Sequence, residues 1–241
     1  MTEAAYAAAA FIRGHTRDPL KLADVADAVG YSPFHLARMF TAAVRMSPMR
    51  YLAAQRFQLS KQLLLTEGLS VVDTCHEVGF SSPGTFTRRF REAVGVAPGE
   101  LRAVADDFAE HTPTPFHRGP SRHLVTGRVV LPDTVPEPLV WIGLFAGPEP
   151  IGVPGAGLLR FGAGEFTLPV LPSHPWLLAT LVEASAGPLE QLVPGAPRVA
   201  LHPAPILGPV HLTLRFRTAW EWEAPILTAL PALRKIGVSG G

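Results

Sequence analysis

Apolar and polar positions follow two different rhythms along this chain, and the change falls near residue 103. Up to that point the chain reads as all-helical; beyond it, short apolar runs between Pro/Gly turns read as strands. The helical part carries a repeat at an offset of 50 residues. Ser32-Pro33-Phe34-His35-Leu36-Ala37-Arg38-Met39-Phe40 returns as Ser82-Pro83-Gly84-Thr85-Phe86-Thr87-Arg88-Arg89-Phe90. Ala43-Val44 and Pro48 return as Ala93-Val94 and Pro98. Each copy opens on Ser-Pro, a helix start in which Ser caps free amides and Pro is pre-set for the first turn. The fifth and ninth positions of each copy are apolar and face inward on a helix, while the seventh, an Arg, faces out.

A short helix and a glycine turn precede each copy: Leu22 to Tyr31 in the first, Ser70 to Phe80 in the second. Small residues at Ala26 and Cys75 allow close helix approach. Short helix, tight Gly turn and capped second helix make a helix-turn-helix, whose second helix enters the major groove of DNA. One such pattern is common. Two in register, with the same caps and the same outward Arg, are specific.

These residues resemble the DNA-binding domain of the AraC family of bacterial transcription regulators, over about residues 4–102. The most specific part runs from Val78-Gly79-Phe80-Ser81-Ser82-Pro83 through Phe86, Arg88 and Phe90 to Val94-Gly95-Val96-Ala97-Pro98 and Leu101-Arg102. The resemblance implies two helix-turn-helix units joined by a long helix, here about Pro48 to Glu67, with an extra first helix at Ala4 to Arg13. It implies recognition helices in successive major-groove segments, roughly 34 Å apart. The implied DNA-facing residues are Ser32, Phe34, His35, Ala37 and Arg38 in the first unit, and Ser82, Gly84, Thr85, Thr87 and Arg88 in the second. Arg89, Arg91, Arg50 and Arg56 are candidate phosphate contacts. Three positions depart from the family pattern. Lys21 replaces a capping Ser or Thr, Arg45 stands where the second copy has Gly95, and Thr74 occupies a usually aliphatic position.

Composition adds little to this picture. Five of the 25 prolines precede residue 103. Through Arg102 there are twelve basic residues, ten of them Arg, against nine acidic. That modest excess predicts weak non-specific DNA binding and reliance on specific contacts. A single cysteine excludes an internal disulfide framework and a Cys-based zinc finger, and Cys75 reads as core. The gaps between His111, His117 and His123 match no ordinary metal-ligand spacing, so neither metal nor cofactor is expected. No run of 18 apolar residues exists and no secretory signal opens the chain, so the expectation is a cytoplasmic, nucleoid-associated protein with no membrane partner.

The expected fold class is multi-domain: an all-α double helix-turn-helix domain over residues 1–105, a linker over 106–123, and an all-β antiparallel sandwich over 124–241. Strands are expected at Leu124–Leu131, Leu139–Phe145, Leu158–Phe161, Gly164–Pro169, Trp176–Val182, Arg198–Leu201 and Val210–Phe216, with a turn at Pro132-Asp133. The order of pieces loosely resembles a transthyretin-like or carboxypeptidase-regulatory-like β-sandwich. Trp220 and Trp222, two apart, would share one face of a strand and could stack on an effector. Ile226 to Leu233 could pack back on the helical domain.

Three function classes compete: a DNA-binding regulator with a sensing or dimerising β-domain, an enzyme fused to such a module, and a protein-interaction module. The residues of 124–241 show no triad or metal spacing, against an enzyme. The outward arginines disfavour an interaction module. The favoured partners are double-stranded DNA, RNA polymerase, a small-molecule effector and a second copy of the chain.

Overall fold

The computed structural model describes residues 2–110, 116–117, 123–132, 138–149, 151–183, 186–195 and 197–228. Seven helices build the first part: α1 (Thr2–Gly14), α2 (Leu22–Ala28), α3 (Pro33–Val44), α4 (Pro48–Gln62), α5 (Val71–Glu77), α6 (Pro83–Val94) and α7 (Leu101–Glu110). In α1 the buried residues Ala5, Ala8, Ala9 and Ile12 recur at helical spacing and face α3 and α4. They close a core with Val25, Ala26, Leu36, Phe40 and Tyr51. A second core gathers Phe57, Cys75, Val78, Phe86, Phe90 and Val94. The rings of Phe57, Phe80, Phe86 and Phe90 make five close pairs there, with centroids 5.4–6.2 Å apart. The long helix α4 contributes to both cores, with Tyr51 and Leu52 in one and Phe57 in the other. It ends in a single wide turn, Leu63–Glu67, closed by Gly68 at φ 68°.

The second part is β-rich, as its sequence suggests. Its strands are β1 (Phe116–His117), β2 (Leu124–Val130), β3 (Pro138–Phe145), β4 (Ala156–Phe161), β5 (Gly164–Pro169), β6 (Trp176–Glu183), β7 (Arg198–Leu201), β8 (Val210–Arg215) and β9 (Arg217–Thr218). One sheet has the order β1-β4-β3-β6-β7-β9 and the other β5-β2-β8. Val125, Val129, Val140, Ile142, Leu144, Phe166, Leu168 and Leu214 fill the space between them. β3 is buried along its whole length because both faces are covered: Leu139 and Trp141 pack on the outer side with Leu159.

All seven expected strands form. The antiparallel expectation fails for one pair: β2 and β8 run parallel, Val125 opposite Val210 through Val130 opposite Arg215. The chain crosses from β7 in the large sheet to the small one before β8, so β8 arrives alongside β2 in the same direction. Gly127 permits this close pairing, because a Cβ there would lie 2.3 Å from the Leu212 carbonyl oxygen and 2.6 Å from the Phe166 ring. A short helix, α8 (Pro188–Leu192), interrupts the strands, and α7 runs to Glu110, five residues into the segment read as linker. Asp133, His111 and residues 229–233 lie outside the described residues, as does the side chain of His117.

The β-rich part is docked on the helical part. Leu192 and Leu227 enter the second helical core, and Ile151 touches both cores. Gly152 N donates to Ala93 O at 2.7 Å, and Thr228 Oγ1 donates to Gly152 O at 2.8 Å. The segment after β9 crosses the helices as a strap. Trp222 stacks on Tyr6 of α1 at 4.5 Å, Glu221 pairs with Arg13 at 3.3 Å, and the fully buried Lys61 of α4 donates to Ile226 O at 3.1 Å.

Candidate nucleic-acid interface

The two recognition-type helices start the same way. Ser32 Oγ accepts from His35 N, and Ser82 Oγ accepts from Thr85 N, both at 3.4 Å. Pro33 and Pro83 follow as first helical residues. Beneath them Leu36, Phe40, Phe86 and Phe90 are wholly buried, and above them Arg38 and Arg88 are exposed. The preceding helices end in matching glycine turns, Gly30 at φ 73° and Gly79 at φ 81°. Ala26 and Cys75 are buried at the equivalent helix contacts, and Cys75 Sγ donates to Phe80 O at 3.5 Å.

Other features of the two units differ. The first opens on Lys21, whose side chain caps nothing; Asp24 instead accepts from the Lys21 amide at 2.7 Å. In the second unit Ser70 Oγ accepts from Asp73 N at 3.1 Å. Thr74 brings its hydroxyl into the interior, where it has no hydrogen-bond partner among the described residues. Arg45 ends α3 at φ 66°, the conformation Gly95 adopts at φ 95° after α6.

On the first helix Phe34 is 80% exposed, an apolar side chain held in water. His35 stacks on Tyr31 at 5.1 Å, which fixes the ring beside the helix start; Ala37 is half-buried. On the second helix Gly84 and Thr85 are exposed and Thr87 half-buried, and a Cβ on Gly84 would meet open space. Arg38 makes no ion pair among the described residues, whereas Arg88 pairs with Glu92 at 3.0 Å, one turn on. Arg91 pairs with Glu100 at 3.4 Å, and the Arg89 guanidinium lies 5.7 Å from the Phe80 ring centre. These exposed pairs hold the cations loosely, at about 1 kcal/mol or less.

Two sequence expectations change. Arg56, read as a phosphate contact, instead donates to three backbone carbonyls: Thr16 O at 2.9 Å, Asp18 O at 2.6 Å and Gly79 O at 3.0 Å. It ties the loop after α1 to the glycine turn of the second unit, and burial lowers its pKa. Trp220 and Trp222 do not share a strand face. Glu223 N donates to Trp220 O at 2.9 Å and Glu223 Oε2 accepts from Trp220 N at 2.8 Å, so the pair straddles a turn. Trp220 is exposed over Arg217, while Trp222 turns inward onto Tyr6. Arg50, the remaining phosphate candidate, pairs with Glu149 at 3.4 Å. Among the described residues no group of three His, Cys, Asp or Glu could hold a metal, and no helix is long and apolar enough to cross a membrane.

A helix-turn-helix domain family matches residues 25–103. The transcriptional activator AarP of Providencia stuartii is 32% identical over 92 residues, covering 38% of this chain and 68% of that protein. The uncharacterized HTH-type transcriptional regulator YfiF of Bacillus subtilis is 33% identical over 96 residues, 40% of this chain and 30% of that protein. The chain spans about a third of the length of most of the curated relatives it matches. Among solved structures, an AraC-type DNA-binding-domain regulator from Chromobacterium violaceum aligns at 29% identity and TM-score 0.40, covering 42% of this chain and 90% of that one. The family match and the sequence relatives fall on a third to two fifths of the chain, where the doubled capped helices stand, and through the likeness to AarP the chain belongs to the AraC-type family of helix-turn-helix transcription regulators.

Proposed function

We propose that this chain binds duplex DNA sequence-specifically and regulates transcription, reading two successive major-groove segments with α3 and α6. The observation that carries this reading is the doubled geometry: two serine-capped helices, each with a buried apolar pair below and an exposed Arg above. Arg38 and Arg88 suit bidentate pairing with guanine, and exposed Phe34 suits a thymine methyl. His35, Thr85 and Thr87 reach bases or phosphates, while Ala37 and Gly84 let the helices approach closely. The free amides at Ser32 and Ser82 suit phosphate, with Arg89 and Arg91 beside them. The Arg88–Glu92 pair is exposed and yields to a base at little cost. RNA polymerase is the downstream partner this role requires. The β-rich part senses a small-molecule effector or holds a second copy; its docking on both helical cores supports a regulatory role.

Selection of bound sites from random duplex DNA with the full chain tests this. The expected result is a motif of two elements one helical turn apart, roughly 34 Å. A doubled motif marks the β-rich part as a dimeriser. Arg88→Ala should cost about 1–3 kcal/mol and relax one base position. No enriched sequence from the folded protein would refute the proposal.

A further inference from the structure

We propose that the cavity between the end of α3 and the sandwich binds a small apolar carboxylate. The proposal rests on the regulatory reading above and gives its effector a place and a chemistry. The cavity has about 400 Å³, within the range of small-molecule sites. Ala43 and Val44 of α3, Val199 and Leu201 of β7, and Trp222 and Ile226 of the strap form its apolar lining.

Charge decides the class of ligand. Glu223 holds Arg217 through two bonds, at 2.5 and 2.7 Å, and raises its pKa. Glu149, almost buried, holds Arg50 at 3.4 Å. Both carboxylates on the lining are therefore already neutralised. Arg45 also lines the cavity, is exposed, and has no ion pair among the described residues. An apolar bowl with one uncompensated guanidinium at its rim favours an apolar monoanion.

The backbone supplies an independent reason. Arg45 is the one non-glycine residue at positive φ among the described residues, in a conformation its repeat partner Gly95 holds without steric cost. A strained arginine at the rim of a cavity points to use of its side chain. An occupant would touch α3, β7 and the strap together. It would thereby change how the first recognition helix is held against the rest of the molecule.

Titration calorimetry on the full chain without DNA tests this, with naphthoate and its neutral amide, naphthamide, as probes. Naphthoate should bind saturably. Binding should fall about tenfold or more for naphthamide and for Arg45→Gly, the loss expected for one charge-assisted bond. Arg45→Lys should retain most of it. Arg45→Gly should melt at the same temperature or higher, which separates lost binding from lost fold. No saturable binding at millimolar naphthoate, or equal binding by Arg45→Gly, overturns the proposal. Since DNA is absent, failure here leaves the DNA-reading proposal intact, and failed site selection leaves this result readable.

Discussion

Replacing Lys61 with methionine should remove a large part of the pH dependence of folding. The ammonium lies on α4 with no exposed surface, and burial lowers its pKa from 10.5 to about 7. Its neighbours are neutral: the Ile226 carbonyl at 3.1 Å and the Gln58 side-chain oxygen at 3.5 Å. Between pH 7 and 10.5 the unfolded chain holds this proton and the native protein does not, so stability rises with pH across that window. Below it both states are protonated, and the full cost of burying the charge is felt. At about 1.4 kcal/mol per pH unit that cost approaches about 5 kcal/mol. From about pH 6 to about pH 9 the wild type should regain about 3 kcal/mol through this group. Lys61→Met leaves the Ile226 carbonyl without its donor, at about 1 kcal/mol, yet fills the same space and carries no proton. Urea unfolding of both proteins at the two pH values, followed by circular dichroism, measures the difference in slope. The variant should be more stable at the acid end by a few kcal/mol and only slightly more stable at the alkaline end. Equal pH slopes would refute the reasoning, because they require the ammonium to be hydrated and the strap to stand off α4.

Thr74→Val should raise stability by about 1 kcal/mol in thermal unfolding, because it replaces a buried, unpaired hydroxyl by a methyl of the same shape; destabilisation would mean that the hydroxyl is satisfied. Arg56→Met should lower stability by about 3 kcal/mol through loss of three bonds to backbone carbonyls, read by urea midpoint. A neutral outcome would return Arg56 to the pool of free surface cations. Gly127→Ala should cost more than about 3 kcal/mol, since the new methyl meets the Leu212 carbonyl and the Phe166 ring. An unchanged melting temperature would contradict the parallel β2–β8 pairing.

What the sequence revealed and what it hid follow from the range of the interactions. Caps, turns and periodicity act over a few residues, so both helix-turn-helix units and seven strands are legible, while the linker helix is implied by the family resemblance. Arg45 and Gly95, aligned in the repeat, share the left-handed conformation that ends α3 and α6. Pairing across the chain was not legible. Nothing local tells that β8 joins β2 in parallel, since both strands carry the same kind of apolar pattern. Arg56 looks like Arg50 in sequence. Only the fold brings Thr16, Asp18 and Gly79 around it. Trp220 and Trp222 have strand spacing, but Glu223 closes a turn on Trp220 and sends the two rings apart. Lys61 reads as a surface lysine until the strap covers it.

The seat of Leu227 inside the second helical core has a consequence for how the molecule is made. A chain leaves the ribosome from its N-terminus, so α5 and α6 are complete long before Leu192 and Leu227 exist. At about 5–20 residues per second, the intervening stretch takes roughly ten seconds to synthesise. Throughout that interval the apolar floor of the second unit faces water or a chaperone. The nascent helices therefore gain the contacts of Leu192 and Leu227 only after these later segments have been made. A chain clipped before the strap leaves that floor open, a surface that proteases and chaperones recognise. Birth order and final packing thus run in opposite directions: helices made earlier wait on side chains made later.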